Sequence, residues 1–436
     1  MTVAPAEPAA SRRLDSLDAF RGFVIAGMLL VNATWGESAW GEGIGHWLAM
    51  QLAHVPWNAP AQGATFTDLV FPWFLFIMGA AVPLSRRRGR GRDAGPVRVV
   101  LTALRRGLVL YLLGVLLTHA SGWTTRPMAW TDLLSWNILQ LIAAAYVVTM
   151  IVSLLPRWMW WMFVVVVLLA KLVLMVGLDA EWLRSTLASG SAPLEPRQPE
   201  SPLGQRTFTH FDDVKRLLAR EHIAPETLAA SLNRYAAGWF GMAQQWLPAA
   251  AIAMLGALSV DRLLREDISR SRRAAQVATF GVVLTLVGMV LQWGYVPSGG
   301  GLLGPLTTPL SKWFFSTPYC LVAAGTGAML LALFFWVIDV RGFSRCAEPW
   351  RTYGVNALAL YVGAELVWKL ALSTWQMPLP KEGAATVPGA VNAWVATMLP
   401  EGAWGGFAGL SFAALWLAAW WLVCRALDRR KLYLRV

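Results

Sequence analysis

The chain has 436 residues, of which 56% are hydrophobic and only 14% charged, with a formal net charge of +12. A soluble domain carries about 25% charged residues, so the composition excludes one, and apolar runs of about 18 residues or more recur as they do in polytopic membrane proteins. The arginines stand in short segments between those runs, the pattern of the positive-inside rule and not of a nucleic-acid surface, while Cys320, Cys346 and Cys424 match neither a metal spacing nor a disulfide framework.

An all-α integral membrane fold of about ten transmembrane helices is expected, over about 19–36, 66–84, 99–119, 132–154, 157–178, 242–260, 274–295, 313–338, 353–372 and 405–424. The 25 tryptophans fit it, since indoles collect at headgroup level. Residues 1–16 form a Pro/Ala-rich tail without the pattern of a cleavable signal, so the first span directs insertion. That span carries Asp18 and Arg21 three apart at its inner end, spaced to pair on the helix surface or to grip an anionic ligand. Asn32 lies deep in it, and an unpaired amide in hydrocarbon is costly. Its partner is either a neighbouring helix or a group at a site.

The loop 37–64 holds no lysine or arginine but contains His54 and, close by, Trp57. Histidine is the side chain best matched to acid–base work near neutral pH; the bland alternative is a wet loop histidine with no role. Thr65-x-x-Asp68 is a capping-box spacing at the start of the second span, which favours a cap over a catalytic role for Asp68. Arg86 to Arg98 follow that span, and Arg105 and Arg106 continue the basic run, which could draw a polyanion to the cytoplasmic mouth. Lys171 and Lys369 sit near outer helix ends, where they can snorkel.

Residues 179–241 read as an external cap inserted between the fifth and sixth spans, a linker followed by one or two short helices broken near Pro225. Arg262 to Arg273 follow the sixth span, Arg341 and Arg345 the eighth, and Arg425 to Lys431 the last. With Arg12, Arg13 and Arg157, these fall on one side of an even-numbered topology, so both termini are cytoplasmic. Lys312 opens the eighth span behind a Gly-rich loop, and Glu365 and Lys369 are four apart within the ninth. There is no P-loop, dinucleotide fingerprint, GxSxG or HExxH.

Several segments carry a resemblance. RLDSLDAFRGFVIAGMLLVN (13–32), HVPW followed by TFTDLVFPWFLFIMG, PLSKWFFSTPYCLVAAG (309–325) and YGVNALALY (353–361) resemble, in order, the transmembrane heparan-α-glucosaminide N-acetyltransferase family. The resemblance implies an acyltransferase domain over 17–436 in a bacterial inner membrane. It would move acetyl from cytoplasmic acetyl-CoA, a co-substrate used without a metal, to the amine of glucosamine or a related amino sugar on the far side. His54 would be catalytic, as a base or as a carrier of the acetyl group, with Asn32 assisting by donating to the oxyanion. Asp18, Arg21, Trp57, Asp68, Arg105, Arg106, Gln140, Lys312 and Asn356 are the candidates for holding substrate or cofactor. Two departures are visible: Leu141 follows Gln140 where many relatives carry arginine, and FGMAQQWLPAA replaces an acidic segment near the sixth span. A homodimer is compatible with the reading, and no nucleic-acid partner is expected. The alternatives are an amino-sugar permease with His54 and Glu365 as a proton relay, or an O-acyltransferase of a surface polysaccharide.

Overall fold

The structure, a computed structural model, describes residues 14–34, 44–55, 63–87, 95–120, 138–174, 228–294, 302–303, 306–312, 315–380, 383–399 and 405–433. The residue-1 end of the predicted tail, Trp57 and most of the predicted cap lie outside these.

The helices in chain order are α1 (Asp15–Ala33), α2 (Ile44–Gln51), α3 (Phe66–Arg87), α4 (Pro96–Ala120), α5 (Ile138–Val152), α6 (Arg157–Leu174), α7 (Leu228–Leu263) and α8 (Arg270–Gln292). They continue with α9 (Thr317–Phe335), which runs into a π-helical turn, then α10 (Ser344–Val355), α11 (Ala357–Val367) with a second π-helical turn at Trp368–Leu372, α12 (Val387–Ala396) and α13 (Ser411–Arg429). Among the described residues, seven helices are long and apolar enough to cross a membrane, and α10 with α11 makes an eighth if that bent pair is one span. The protein is therefore an all-α polytopic chain. Of the ten predicted spans, the fourth is represented by α5, whose 15 residues reach only about 23 Å at 1.5 Å per residue.

α1, α3, α9 and the Gln245–Leu263 part of α7 are mostly buried, whereas α4, α8 and α13 turn apolar ridges outward, such as Leu101, Leu104 and Leu108 on α4. Close packing at the centre depends on small residues, because lipid tails give helices no hydrophobic reason to associate. A β-carbon at Gly79 of α3 would lie 1.7 Å from the Ala253 carbonyl oxygen of α7, and one at Gly22 of α1 would lie 1.6 Å from that of Trp350 on α10.

Polar contacts sort the helix ends into two faces. On one, Arg157 pairs with Asp261 at 2.7 Å, Arg86 donates to the Ser153 carbonyl, Arg270 donates to that of Asp339 at 3.1 Å, and Arg351 lies 3.8 Å from Asp15. On the other, Thr317 donates to the Leu168 carbonyl at 2.7 Å and Lys369 to that of Leu117 at 2.8 Å. Arg86, Arg157, Arg270 and Arg351 are thus all held by polar contacts at helix ends on the first of these faces.

Two features depart from the predicted elements. α7 is one helix of 36 residues, about 54 Å long, so residues 228–241 of the expected cap are its first turns and not a separate helix. The ninth span is preceded by α10 and bends by 74° at Asn356. The Asn356 amide donates to the Leu432 carbonyl at 3.1 Å, which ties the bend to the chain leaving α13. The Gly/Pro-rich loop after α11 contains a hairpin, Gln376–Pro378 antiparallel to Ala384–Thr386, before α12.

Candidate active site

The segment after α2 is folded back onto the start of α3. Gln51 supplies two acceptors to that helix end: its side chain takes the Phe66 N–H at 3.2 Å and its carbonyl takes the Thr67 hydroxyl at 3.1 Å. First-turn N–H groups have no partner within a helix, so these contacts fix the loop as well as the helix. The Thr65 hydroxyl donates to the Ala53 carbonyl at 2.7 Å. The predicted capping box forms, with the Thr65 and Asp68 amides each donating to the other's side chain at 3.4 Å.

Asp68 does more than cap. Its Oδ2 also accepts from the Val55 amide at 3.1 Å, and its Oδ1 accepts from His54 Nδ1 at 2.8 Å. The Asp68 side chain is 1% exposed and that of His54 is 29% exposed, so a buried carboxylate orients a reachable imidazole. With Nδ1 carrying the proton toward Asp68, the lone pair is on Nε2.

Lys312 completes the cluster. Its Nζ is 3.1 Å from His54 Nδ1, 3.4 Å from Nε2 and 3.7 Å from Asp68 Oδ1. Burial pushes this ammonium below the ordinary lysine value, against the opposing pull of Asp68. The turn that delivers it is strained: Phe315 has φ +46°, unusual for an aromatic residue. The turn is held by the Phe315 amide donating to the Lys312 carbonyl at 3.1 Å and by the Ser311 amide donating to Ser316 Oγ at 3.0 Å. The buried Phe315 ring meets Tyr319 edge-on at 5.8 Å, and the Tyr319 hydroxyl donates to the Asp68 carbonyl at 2.6 Å. Phe315 and Tyr319 were not singled out in the sequence, although both lie in the PLSKWFFSTPY segment.

Asn32 takes the helix–helix role. Its amide donates to Glu365 Oε1 at 2.7 Å, joining α1 to α11, and is not placed on His54. Lys369 does not pair with Glu365 in the expected i,i+4 manner. It stands in the π-helical turn, where the wider helix changes the register, and donates to Leu117 on α4.

On the arginine-rich face a cavity of about 270 Å³ opens among α1, α3, α4, α5 and the α10–α11 bend. Arg21 and Arg106 both line it, with Phe74, Met78 and Tyr146. Asp18 holds Arg21 at 3.1 Å, and Arg106 donates to the Tyr146 hydroxyl at 3.3 Å. Arg105 is exposed and does not line this cavity. Phe74 is roughly 9 Å along the α3 axis from Asp68, so one helix carries both the cavity wall and the carboxylate. Gln140 is fully buried against α4, where a β-carbon at Gly114 would lie 2.3 Å from its Oε1. Asn356, also buried, secures the bend. Among the described residues, no three His, Cys, Asp or Glu side chains form a metal-ligand group.

Residues 13–181 match a family described as Domain of unknown function (DUF5009). Over 143 residues the chain is 30% identical to heparan-alpha-glucosaminide N-acetyltransferase of Homo sapiens and 28% identical to that of Mus musculus. Each alignment covers 33% of this chain and 19% of the relative, so the chain spans about a fifth of the curated proteins it matches. The matched domain contains His54, Asp68, Arg21 and Arg106 but not Lys312 or Glu365. Over that N-terminal third, the chain is similar to these two N-acetyltransferases.

Proposed function

We propose that this protein is a membrane-embedded acetyltransferase with ten spans and cytoplasmic termini in a bacterial inner membrane. It takes acetyl from acetyl-CoA at the arginine-rich face and passes it to the amine of glucosamine or a related amino sugar at the opposite face. The observation that carries the reading is the His54 Nδ1 to Asp68 Oδ1 contact of 2.8 Å, made by a buried carboxylate. It is the arrangement by which a carboxylate sets the tautomer of a catalytic imidazole and steadies the imidazolium that forms.

Arg21 and Arg106 attract the nucleotide phosphates, which cannot enter hydrocarbon, and the flexible thiol arm reaches inward along α3. His54 Nε2 takes the proton of the acceptor ammonium. The freed amine attacks the thioester carbonyl, the C–S bond breaks, the nitrogen gives its second proton to the departing sulfur, and CoA leaves as the free thiol toward the arginine-rich face. The other route passes acetyl through His54 itself. The Lys312 ammonium, 3.4 Å from Nε2, supplies positive charge where the oxyanion develops. On this geometry it is better placed for that task than Asn32, whose amide is engaged by Glu365.

Two observations favour a second reading as an amino-sugar transporter: the 74° break between α10 and α11, and a carboxylate, Glu365, within a bent span. Purified protein given acetyl-CoA with and without glucosamine separates the two. Acetyl transfer predicts release of free CoA thiol that depends on the amine. Glucosamine uptake into vesicles without acetyl-CoA, and no thiol release, would favour transport. Thiol release with sugar hydroxyls as the better acceptors would select O-acylation.

A further inference from the structure

The arginine-rich face contains a cavity that acetyl transfer does not use. It has a volume of about 420 Å³ and lies between α6, α7 and α8, with Arg262, Arg272, Ser259 and Gln276 on its walls and Trp161 and Phe280 at its membrane side.

Most arginines near it are committed. Arg265 is bound to Asp267, with Nε donating at 3.0 Å, and Arg273 donates to the Leu263 carbonyl at 2.9 Å. Arg270 donates to the Asp339 carbonyl and Arg157 to Asp261. The guanidinium groups of Arg262 and Arg272 make no hydrogen bond or ion pair with any described residue. Two guanidinium groups facing one cavity without a carboxylate repel each other and favour an anion between them.

A second, independent feature is on the same wall. One turn beyond Arg272, Gln276 Oε1 is buried without a partner. A buried acceptor left unpaired is costly, and in native structures it usually has a partner of some kind. The ligand that would satisfy this wall therefore carries negative charge and an O–H or N–H donor.

The rim says what else it carries. Trp161 meets Phe280 edge-on at 5.6 Å, the kind of aromatic pair found at headgroup depth. Beyond it α8 exposes Val283, Leu286 and Val287, and α6 exposes Val165 and Leu169. A soluble anion would have no use for that apolar path, whereas a lipid would use both ends.

We propose that this cavity binds an anionic glycerophospholipid. Its phosphate diester sits between Arg262 and Arg272, a headgroup hydroxyl donates to Gln276 Oε1, and an acyl chain runs past Trp161 and Phe280 along α8. Basic pockets between membrane helices are known to take such headgroups. Phosphatidylglycerol has each of these parts, while zwitterionic phosphatidylcholine lacks both the net charge and the hydroxyl.

The test uses the full-length protein, delipidated in neutral detergent and titrated with each lipid by native mass spectrometry. Phosphatidylglycerol is expected to bind selectively over phosphatidylcholine. R262Q/R272Q should weaken it roughly ten- to hundredfold, the scale of losing charge-assisted hydrogen bonds, and Gln276→Leu should weaken it several-fold. Inorganic phosphate and acetyl-CoA, added as competitors, should not displace it. Equal binding of the two lipids, or no change in R262Q/R272Q, would overturn the proposal. Displacement by millimolar phosphate or by acetyl-CoA would also overturn it, by assigning the arginines to a soluble anion. If the double variant does not fold, single Arg262→Gln and Arg272→Gln proteins give the same readout, since both side chains are exposed.

Discussion

Asp68 and His54 are joined by a 2.8 Å contact in which the carboxylate that closes the cap of α3 also orients the imidazole. The two roles use different oxygens. Oδ2 takes the Val55 and Thr65 amides, and Oδ1 is left to His54. The helix start is therefore the rigid support of the site, and a change at Asp68 should separate the two contributions.

Asp68→Asn keeps the shape and part of the cap but offers the imidazole an amide. We expect kcat to fall by about 10³–10⁴-fold, the scale of losing a tautomer-setting carboxylate. Stability should fall by only about 1 kcal/mol, the typical worth of a cap. Steady-state kinetics beside thermal unfolding in detergent will check this, and a variant with normal kcat would leave Asp68 as a cap alone.

Lys312 gives two predictions, one in the pH dependence of stability and one in kinetics. Its folded value lies below the ordinary 10.5, so the unfolded chain holds the proton more tightly. The stability cost of the buried charge is thus fully present below the folded value and is relieved as pH rises from there toward 10.5. Lys312→Met removes that charge, so its stability relative to the native protein should be most favourable below the folded value and decline as pH rises toward 10.5. In kinetics, Lys312 is placed to stabilise the developing oxyanion. Lys312→Met should lower kcat by about 10²–10³-fold, the scale of losing one such donor, and Lys312→Arg should restore much of it. An unchanged kcat would assign Lys312 to packing.

How much of this was legible in the chain follows from what is local. The apolar runs and the arginines between them are local features, so the membrane class could be read directly. The Thr65-x-x-Asp68 spacing gave the cap for the same reason. The second bond of Asp68 could not be read, because it depends on how the loop from Gln51 to Val55 folds back. Lys312 and His54 are separated by 258 positions, and only the packing of α9 against α3 brings them together. The bend at Asn356 had no proline to announce it; close approach of Gly354 to α1 and the tie to Leu432 account for it. The first turns of α7 were read with the short helices of the cap from their helical spacing, and the helix continues from them into the span.

Arg106 and Arg105 are adjacent in sequence but should differ in effect. Arg106 lines the cavity beside Arg21 and Tyr146, and Arg105 does not. Arg106→Gln should raise the acetyl-CoA KM about tenfold with kcat nearly unchanged, as expected for a contact made equally in ground and transition states. Arg105→Gln should change KM by less than about twofold on the same reasoning. Equal effects would place the nucleotide elsewhere on this face.

Asn32 and Glu365 should behave as a coupled pair. A double-mutant cycle of Asn32→Ala and Glu365→Gln, followed by unfolding, should give a coupling of about 0.6–1.7 kcal/mol, the range for hydrogen bonds between membrane helices. Additive effects would mean that the 2.7 Å contact contributes nothing to holding α1 against α11.

The central claim rests on His54, and the most direct measurement is acetyl-CoA-dependent formation of N-acetylglucosamine by native protein and His54→Ala. The native protein should release CoA thiol and acetylated sugar in equal amounts. His54→Ala should fold, retain acetyl-CoA affinity and lose about 10²–10⁴-fold in kcat, the contribution of a positioned general base. A His54→Ala protein that transfers acetyl at the native rate would contradict the account.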